Sequence, residues 1–401
     1  MNTSDVSTHE RTARRARDWG VWLPGRPGPF NAITDVAGVE VGHVTLIEGD
    51  NVRTGVTAIL PAGQAGSGDL ALPAGWFSLN GNGELTGTTW ISESGCLSTP
   101  ILLTNTHSVG AVHEGAIRWL RRFHDGSRAR FRLPVVGETC DAGLNDIDGL
   151  HVRPEHAVQA IEAASSGPVA EGNVGGSTGM TTYQYKGGAG TSSRRVGVRD
   201  AEYTVGVYVQ SNFGRRQEFM INGVRLGDLG DPPATVEAPE PEPGAGSIIA
   251  IVVTDAPLLP HQCQALARRV PMGLARTGAN AGHFSGDIFL AFSTANAGVL
   301  DSWTGSEESA LELRTAQVLP PGLVTPLYGA VIEATEEAVI NALFGAEDMT
   351  GFRGQRVNAI PQQAVAERLA AARPPLVSGF SDSVRTPDSP GARDQHQADT
   401  E

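Results

Sequence analysis

The sequence of 401 residues lacks long apolar runs and has few cysteines and few close histidine pairs. No apolar segment approaches the roughly 20 residues of a membrane-spanning helix, so no membrane partner is expected. Its cysteines, Cys96, Cys140 and Cys263, are too few and too scattered for a disulfide framework or a zinc knuckle. The ten histidines form no HExxH motif or similar ligand pair, so no metal site is predicted.

Basic residues are also in the minority. The chain has 30 Lys and Arg against 44 Asp and Glu, a net charge of −14. Such a surface repels phosphate backbones, which excludes nucleic acid as an expected partner. Residues 1–22 are polar and Arg-rich, without the apolar core of a secretory signal, and we expect a flexible arm on a cytoplasmic protein.

Glycine is abundant, with 50 residues in clusters such as "NGNGELTG" and "EGNVGGSTGM". These clusters predict tight turns or close backbone approaches. Apolar β-type segments and helical patterns alternate between them, which predicts a layered α/β or α+β domain. The predicted strands are "VEVGHVTL" from Val39, "TAILPA" from Thr57, "PILLTNT" from Pro100, "YTVGVYVQSNF" from Tyr203, "SIIAIVVT" from Ser247 and "DIFLAFST" from Asp287.

The helical patterns fall at residues 107–123, 153–164, 261–276 and 326–344, the third kinked or divided at Pro271. We predict one catalytic domain over residues 23–372. Residues 227–246 form an acidic, proline-rich linker, and residues 373–401 form a polar tail.

The linker passes directly into an apolar strand at Gly246-Ser247. If the bond between these residues is cut, Ser247 carries both a hydroxyl and a free α-amine. That amine titrates at about pH 8, so it can take the hydroxyl proton and activate the oxygen as a nucleophile. The junction by itself also fits a plain boundary between loop and strand, and it leaves both interpretations open.

The same junction is suited to self-cleavage. Gly246 has no Cβ, so its carbonyl can be held in a strained conformation that is open to the Ser247 hydroxyl. The resulting N→O shift gives an ester that water hydrolyses. The products would be a chain of residues 1–246 and a chain of residues 247–401.

Several stretches, in this order, resemble the DmpA-type aminopeptidases, the family of L-aminopeptidase/D-esterases and β-peptidyl aminopeptidases. These enzymes are N-terminal-nucleophile-like hydrolases that cleave themselves into two chains. The resemblance implies a four-layer αββα sandwich, a homo-oligomer of processed units, and no metal or organic cofactor. The matching stretches are "AITDVAGVEVGHVTL", "NGNGELTGTTWISESG", "PILLTNTHSVGAV", "PVVGETCDAGLNDIDG", "EGNVGGSTGM", "QSNFGRR", "GSIIAIVVTDAPL" and "SGDIFLAFSTAN".

The resemblance also implies roles for individual residues. Ser247 is the nucleophile, and Ser285 and Asp287 in "FSGDIF" support it with a hydroxyl and a carboxylate. Asn212 in "VQSNFGRR" binds the oxyanion. From the residues alone, Ser285 and Asp287 equally fit a cap before a strand, and Asn212 fits a buried structural amide.

The segment "GETCDAGLND" resembles the part of the family's substrate pocket that receives the substrate amine. We expect Glu138 to bind this ammonium, with Asp141 as the second candidate; a structural hydrogen bond is the alternative for both. Cys140 occupies a pocket position where the family has an aromatic residue. This departure leaves open the preference for L or D and for α or β substrates.

The expected function is therefore a self-processing serine aminopeptidase that acts on short peptides, amides or esters. One alternative is an acyltransferase or a specialised amidohydrolase of the same fold. An unprocessed, inactive homologue is the other.

Overall fold

The computed structural model describes residues 14–123, 132–230, 246–301 and 313–372. Its α-helices are α1 Gly63–Gly66, α2 Thr88–Ser94, α3 Val109–Leu120, α4 Pro154–Glu162, α5 Pro260–Ala267, α6 Val270–Arg276, α7 Thr325–Phe344 and α8 Gln362–Ala372. Its strands are β1 Glu40–Glu48, β2 Val52–Leu60, β3 Leu72–Gly81, β4 Cys96–Leu97, β5 Ile101–Asn105, β6 Val135–Thr139, β7 Thr181–Thr182, β8 Tyr185–Lys186, β9 Ala189–Val198, β10 Ala201–Asn212, β11 Met220–Ile221, β12 Val224–Arg225, β13 Gly246–Thr254, β14 Ser285–Ser293, β15 Met349–Thr350 and β16 Arg356–Val357.

Two sheets are stacked face to face. The smaller has the order β1-β2-β5-β6, and the larger has the order β4-β3-β14-β13-β10-β9. One apolar cluster fills the space between them, while α3 and α4 pack on the outer face of the smaller sheet. Helices α5, α6 and α7 pack on the outer face of the larger sheet. The αββα sandwich implied by the resemblance is confirmed.

The unbroken apolar run of β13 reflects this layering. Ile249, Ile251 and Val253 face the smaller sheet, and Ile248, Ala250 and Val252 face the helical layer. Successive side chains of a strand point to opposite faces, so a strand covered on both faces needs apolar residues at every position. Strand β13 is therefore a rigid support for its first two residues, Gly246 and Ser247.

The structure confirms the predicted division of the helix at Pro271. Helix α5 ends at Ala267 and α6 starts at Val270, with Pro271 in its first turn. A proline is tolerated there because its missing N–H has no helical partner in the first turn.

Strand β3 is an element that the sequence pattern did not predict. It contains Pro73 and Gly75, which are both uncommon within strands. Gly75 has a packing reason, since a Cβ there would lie 2.6 Å from the backbone nitrogen of Gln264 in α5. The glycine therefore lets the helical layer approach the sheet closely.

Residues 14–22 are packed on the domain, in contrast to the flexible arm expected from the sequence. Ala16 is fully buried, Arg15 forms a salt bridge with Glu171, and Arg17 forms one with Glu337. The difference arises because the carboxylate partners of these arginines lie far away in the sequence. An arginine-rich stretch without nearby partners is typical of a solvent-exposed segment. The remainder of the expected arm (1–13), most of the linker (231–245) and the polar tail (373–401) lie outside the described residues.

Among the described residues, no helix combines the length and the apolar character needed to cross a membrane.

Candidate active site

Gly246 and Ser247 form the first two positions of β13. Ser247 is buried, and its hydroxyl donates a hydrogen bond to the Gly246 carbonyl oxygen over 2.5 Å. The backbone N–H of Gly286 donates to Ser247 Oγ over 3.3 Å. The hydroxyl thus lies against the carbonyl group of the bond that precedes it, with an N–H donor on its other side.

The neighbouring parallel strand β14 brings Ser285 and Asp287 to this position. Gly246 pairs with Ser285, and Ile248 pairs with Asp287. The Ser285 hydroxyl donates to Asp287 Oδ1 over 2.7 Å, and both side chains are buried. These residues therefore belong to the strand beside the nucleophile candidate and do not form a surface cap.

Asp287 has no charged neighbour that affects its pKa within the described part of the chain. Burial raises its pKa above the ordinary value, against hydrogen bonds from Ser285, Asn80 and the Ile248 backbone. A buried carboxylate held only by neutral donors is able to stabilise a cation close by.

Asn212 pairs directly with Ser247 across β10 and β13. Its side-chain oxygen accepts a hydrogen bond from the Thr181 N–H over 2.9 Å, and its Nδ2 donates to the Cys140 carbonyl over 2.9 Å. These two hydrogen bonds determine the orientation of the amide, with Oδ1 towards Thr181 and Nδ2 towards Cys140. The nitrogen, with a second hydrogen to donate, is held on the side of β6.

Glu138 lies near the end of β6 and is only 3% exposed. One oxygen accepts the Glu84 N–H over 2.9 Å, and the other accepts the Thr106 hydroxyl. Burial raises its pKa, against these two hydrogen bonds. Within the described residues no salt bridge engages Glu138, and the charges of Glu84 and His107 act on its pKa in opposite directions. An incoming cation can therefore pair with this carboxylate.

Gly83 separates Glu138 from the nucleophile candidate. A Cβ on Gly83 would lie 3.1 Å from Gly286 Cα and 3.3 Å from Glu138 Oε1. Because Gly286 is the residue that donates to Ser247 Oγ, the carboxylate and the hydroxyl belong to one constellation.

Asp141 has different surroundings from Glu138. It is 1% exposed, and its two oxygens accept the side-chain amides of Asn105 (3.2 Å) and Asn145 (3.1 Å). Burial, opposed by these bonds, raises its pKa to about 6. Cys140, the residue between the two acids, is exposed, and its carbonyl accepts from Asn212.

Sequence reasoning missed three contributors to this site: Asn80, Gly286 and Thr106. Asn80 and Gly83 both lie in "NGNGELTG", which predicted a tight turn or a close backbone approach and carried part of the resemblance, without a role for either residue. The signal that identifies Asn80 is its contact with Asp287, and that contact depends on the pairing of β3 with β14.

Residues 31–357 match the family described as peptidase family S58. The chain is 44% identical over 383 residues to the β-peptidyl aminopeptidase BapA of Sphingosinicella microcystinivorans. This alignment covers 90% of the chain and 94% of that protein.

Two solved structures are similar over almost the whole fold. The β-aminopeptidase of a Burkholderia species superposes with a TM-score of 0.81 at 44% identity, covering 90% of this chain and all of the other. The L-aminopeptidase D-Ala-esterase/amidase of Ochrobactrum anthropi, described as a variant of the Ntn hydrolase fold, superposes with a TM-score of 0.78 at 39% identity. This alignment covers 89% of this chain and 97% of that one.

A fold with two stacked sheets, a serine at the start of a buried central strand and a match over most of the sequence lead to one conclusion: this chain belongs to peptidase family S58 and is a serine aminopeptidase of the N-terminal-nucleophile type.

Proposed function

We propose that the chain cleaves itself between Gly246 and Ser247, and that the released Ser247 then removes N-terminal residues from short peptides, amides or esters. One observation carries the proposal. The Ser247 hydroxyl lies 2.5 Å from the Gly246 carbonyl oxygen and accepts a hydrogen bond from the Gly286 N–H. Both contacts lie at the start of strand β13, which is buried on both faces.

Self-cleavage starts when Ser247 Oγ attacks the Gly246 carbonyl carbon. The C–N bond breaks, the serine nitrogen takes the hydroxyl proton, and Gly246 is left as an ester on Ser247 Oγ. Water hydrolyses this ester, which gives Gly246 a free carboxylate and Ser247 a free α-amine. The glycine is required sterically as well, because a Cβ there would lie 2.9 Å from Phe213 Cα.

In turnover, the same oxygen attacks the carbonyl carbon of the substrate while the Ser247 α-amine takes its proton. The Nδ2 of Asn212 donates to the developing oxyanion with the hydrogen that Cys140 does not use. Asp287, through Ser285, stabilises the ammonium that forms on Ser247. The ammonium protonates the leaving amine, and water then hydrolyses the ester on Ser247.

The substrate is held by its own amino group. Glu138 is buried and is supplied with two neutral donors, so an ammonium would supply the missing positive charge. Both oxygens of Asp141 are engaged by asparagine amides, which supports Glu138 over Asp141 for this role.

Cys140 borders the same pocket without the bulk of an aromatic ring. This arrangement, together with the name of the Sphingosinicella relative, supports substrates that begin with a β-amino acid.

Processed units assemble into a homo-oligomer in the cytoplasm, and no metal or organic cofactor is needed. The free thiols of Cys96, Cys140 and Cys263 are compatible with a reducing compartment. Light scattering on the purified protein tests the homo-oligomer, and fractionation of the source cells tests the cytoplasmic location.

Intact mass under denaturing conditions tests self-cleavage. The expected result is two chains in place of one species of 42.0 kDa, with Ser247 as the first residue of the smaller chain. Turnover is then compared for the p-nitroanilides of L-alanine, D-alanine and β-alanine, with N-acetyl-L-alanine p-nitroanilide as the amine-blocked control. An active protein that remains one unbroken chain would contradict the proposal.

A further inference from the structure

The strand β3 carries an irregularity next to the Ser285–Asp287 pair. Phe77 pairs with Phe289 and Ser78 with Ile288, whereas the next pair is Asn80 with Asp287. Leu79 is therefore the extra residue of a β-bulge. Without the bulge, continued pairing would place the apolar Leu79 opposite Asp287, so the bulge replaces a leucine with an amide at this position.

The bulge is held by a contact of its own. The Ser78 hydroxyl donates to the Asn80 carbonyl over 3.0 Å, which closes the backbone around Leu79. Bulges often redirect a side chain beside an active site, and here the redirected side chain is that of Asn80.

The Asn80 amide has two partners. Its Nδ2 donates to Asp287 Oδ2 over 2.9 Å and to the Gly282 carbonyl over 3.1 Å. Ser285 donates to the other oxygen, Oδ1, over 2.7 Å. The carboxylate is thus held from both ends, and the amide also ties it to the loop that leads into Ser285.

The surroundings contain few other titratable groups. Strands β3 and β13 carry no titratable side chain, and β13 gains only the α-amine that cleavage frees on Ser247. Asp287 is the only titratable residue on β14. The adjoining segments carry His283 in the loop before Ser285, Glu84 after the turn, and Glu138 on β6. Neutral hydrogen bonds are accordingly the main influence that opposes the desolvation of Asp287.

We propose that Asn80 is a positioning residue of the reaction: it holds the Asp287 carboxyl group beside Ser285, and the bulge at Leu79 places the Asn80 amide there. This role rests on the function proposed above. Asn80 touches no substrate, and it acts only through the carboxylate. Its removal should change the rate of the chemical step and its pH dependence, and should leave substrate binding at Glu138 largely unchanged.

The test compares Asn80→Ala and Asn80→Asp with Asn82→Ala. Asn82 is the matched control, because it lies in the same turn and donates to the Phe284 carbonyl of the same loop over 2.8 Å, without contact to Asp287. The pH profiles of kcat and KM are measured with an amino-acid p-nitroanilide. The rate of self-cleavage is followed by mass across the same pH range.

For Asn80→Ala we expect kcat to fall about tenfold with little change in KM, since a hydrogen bond to a charged group is lost. The acidic limb of the kcat profile reports the Ser247 α-amine, which must be unprotonated to act as the base, together with Asp287, which is coupled to it. The limb should move by about one pH unit, because Asp287 loses a hydrogen bond that favours its charged form. Asn80→Asp should move the limb further, as two carboxylates then share one site. Asn82→Ala should keep the wild-type limb.

Acidic limbs that coincide with the wild type in both Asn80 variants would overturn the positioning role, while turnover by the wild-type protein would leave the proposed function standing. A wild-type protein that neither cleaves itself nor turns over would contradict both. Asn80→Asp is nearly isosteric, so it supplies the same readout if the alanine variant does not fold.

Discussion

Asn212 and Ser247 face each other across the antiparallel pair of β10 and β13. They are 35 residues apart in the sequence, and the intervening segment includes the linker. The pairing places a fixed amide donor directly beside the proposed nucleophile, and the Thr181 N–H sets the orientation of that amide. The relation between the two residues is therefore set by the register of two central strands.

Ser247→Ala should abolish both self-cleavage and turnover, since the attacking oxygen is missing in both reactions. The expected product is a single species of 42.0 kDa in denaturing mass spectrometry. Ser293→Ala is the control: this serine lies at the other end of β14 and donates to the Ala256 carbonyl, so the variant should cleave normally. Cleavage before residue 247 in the alanine variant would contradict the mechanism.

Asn212→Ala should lower kcat by about 100- to 1,000-fold with a much smaller effect on KM, because the amide donates to an oxyanion that exists only in the transition state. Steady-state kinetics on an amino-acid p-nitroanilide measure both constants. Asn212→Asp gives a nearly isosteric comparison and should be at least as impaired, since a second negative charge would lie beside the oxyanion. A change confined to KM would argue against this role.

Glu138→Gln should raise KM by about 10- to 100-fold for substrates with a free amine, because a charge-assisted hydrogen bond is replaced by a neutral one. The preference for L-alanine p-nitroanilide over its N-acetyl form should shrink accordingly. Glu84→Gln is the matched control, as Glu84 is exposed and its hydrogen bond to Glu138 comes from its backbone N–H, which the substitution keeps. An unchanged preference in Glu138→Gln would place the ammonium elsewhere.

Asp141 should make the stability of the fold depend on pH. Its pKa is about 6 in the folded protein, above its ordinary value of 3.8, so the folded state holds a proton more tightly than the unfolded one. Its contribution to stability is fully present below about pH 4 and is lost as the pH rises through 6, at a total of about 3 kcal/mol.

Urea unfolding between pH 4 and pH 7 measures this contribution, in the uncleaved Ser247→Ala background so that a single chain unfolds. Relative to a second variant that also carries Asp141→Asn, the free energy of unfolding should decline over this range. A difference between the two proteins that is constant with pH would refute the assignment.

Glu337 should be essential for stability. It accepts hydrogen bonds from Arg17 and from the buried Arg194, each over 2.7 Å. Although burial raises its pKa, the hydrogen bond from Arg17 and the charges of the two arginines bring it below the ordinary value. The stabilisation is thus present above the unfolded pKa and is lost as the pH falls.

Glu337→Gln in the same uncleaved background should destabilise the fold by about 3–5 kcal/mol, because Arg194 loses a buried carboxylate. Urea unfolding at neutral pH measures the loss. Glu347→Gln, at an exposed position just beyond α7, should be neutral. Equal stabilities of the two variants would show that the ion pairs of Glu337 with Arg17 and Arg194 do not stabilise the fold.

The character of the central strands could be predicted because it is local. An apolar run such as Ile248–Val253 is favourable only where both faces of a strand are covered, and a proline such as Pro271 restricts a helix wherever it occurs. Strand β3 was missed because Pro73 and Gly75 oppose a strand locally, whereas packing against α5 favours it.

The amino-acid sequence by itself determined the layered architecture, the position of Ser247 at the start of a buried strand, and the set of polar residues that resemble an aminopeptidase site. Only the tertiary structure showed the different hydrogen-bond partners of Glu138 and Asp141, placed Asn80 on Asp287 and joined Arg17 to Glu337. Strand propensity and the pattern of apolar residues depend on neighbours along the chain. A hydrogen bond between distant residues depends on register, and one bulge at Leu79 changes which side chain meets the carboxylate.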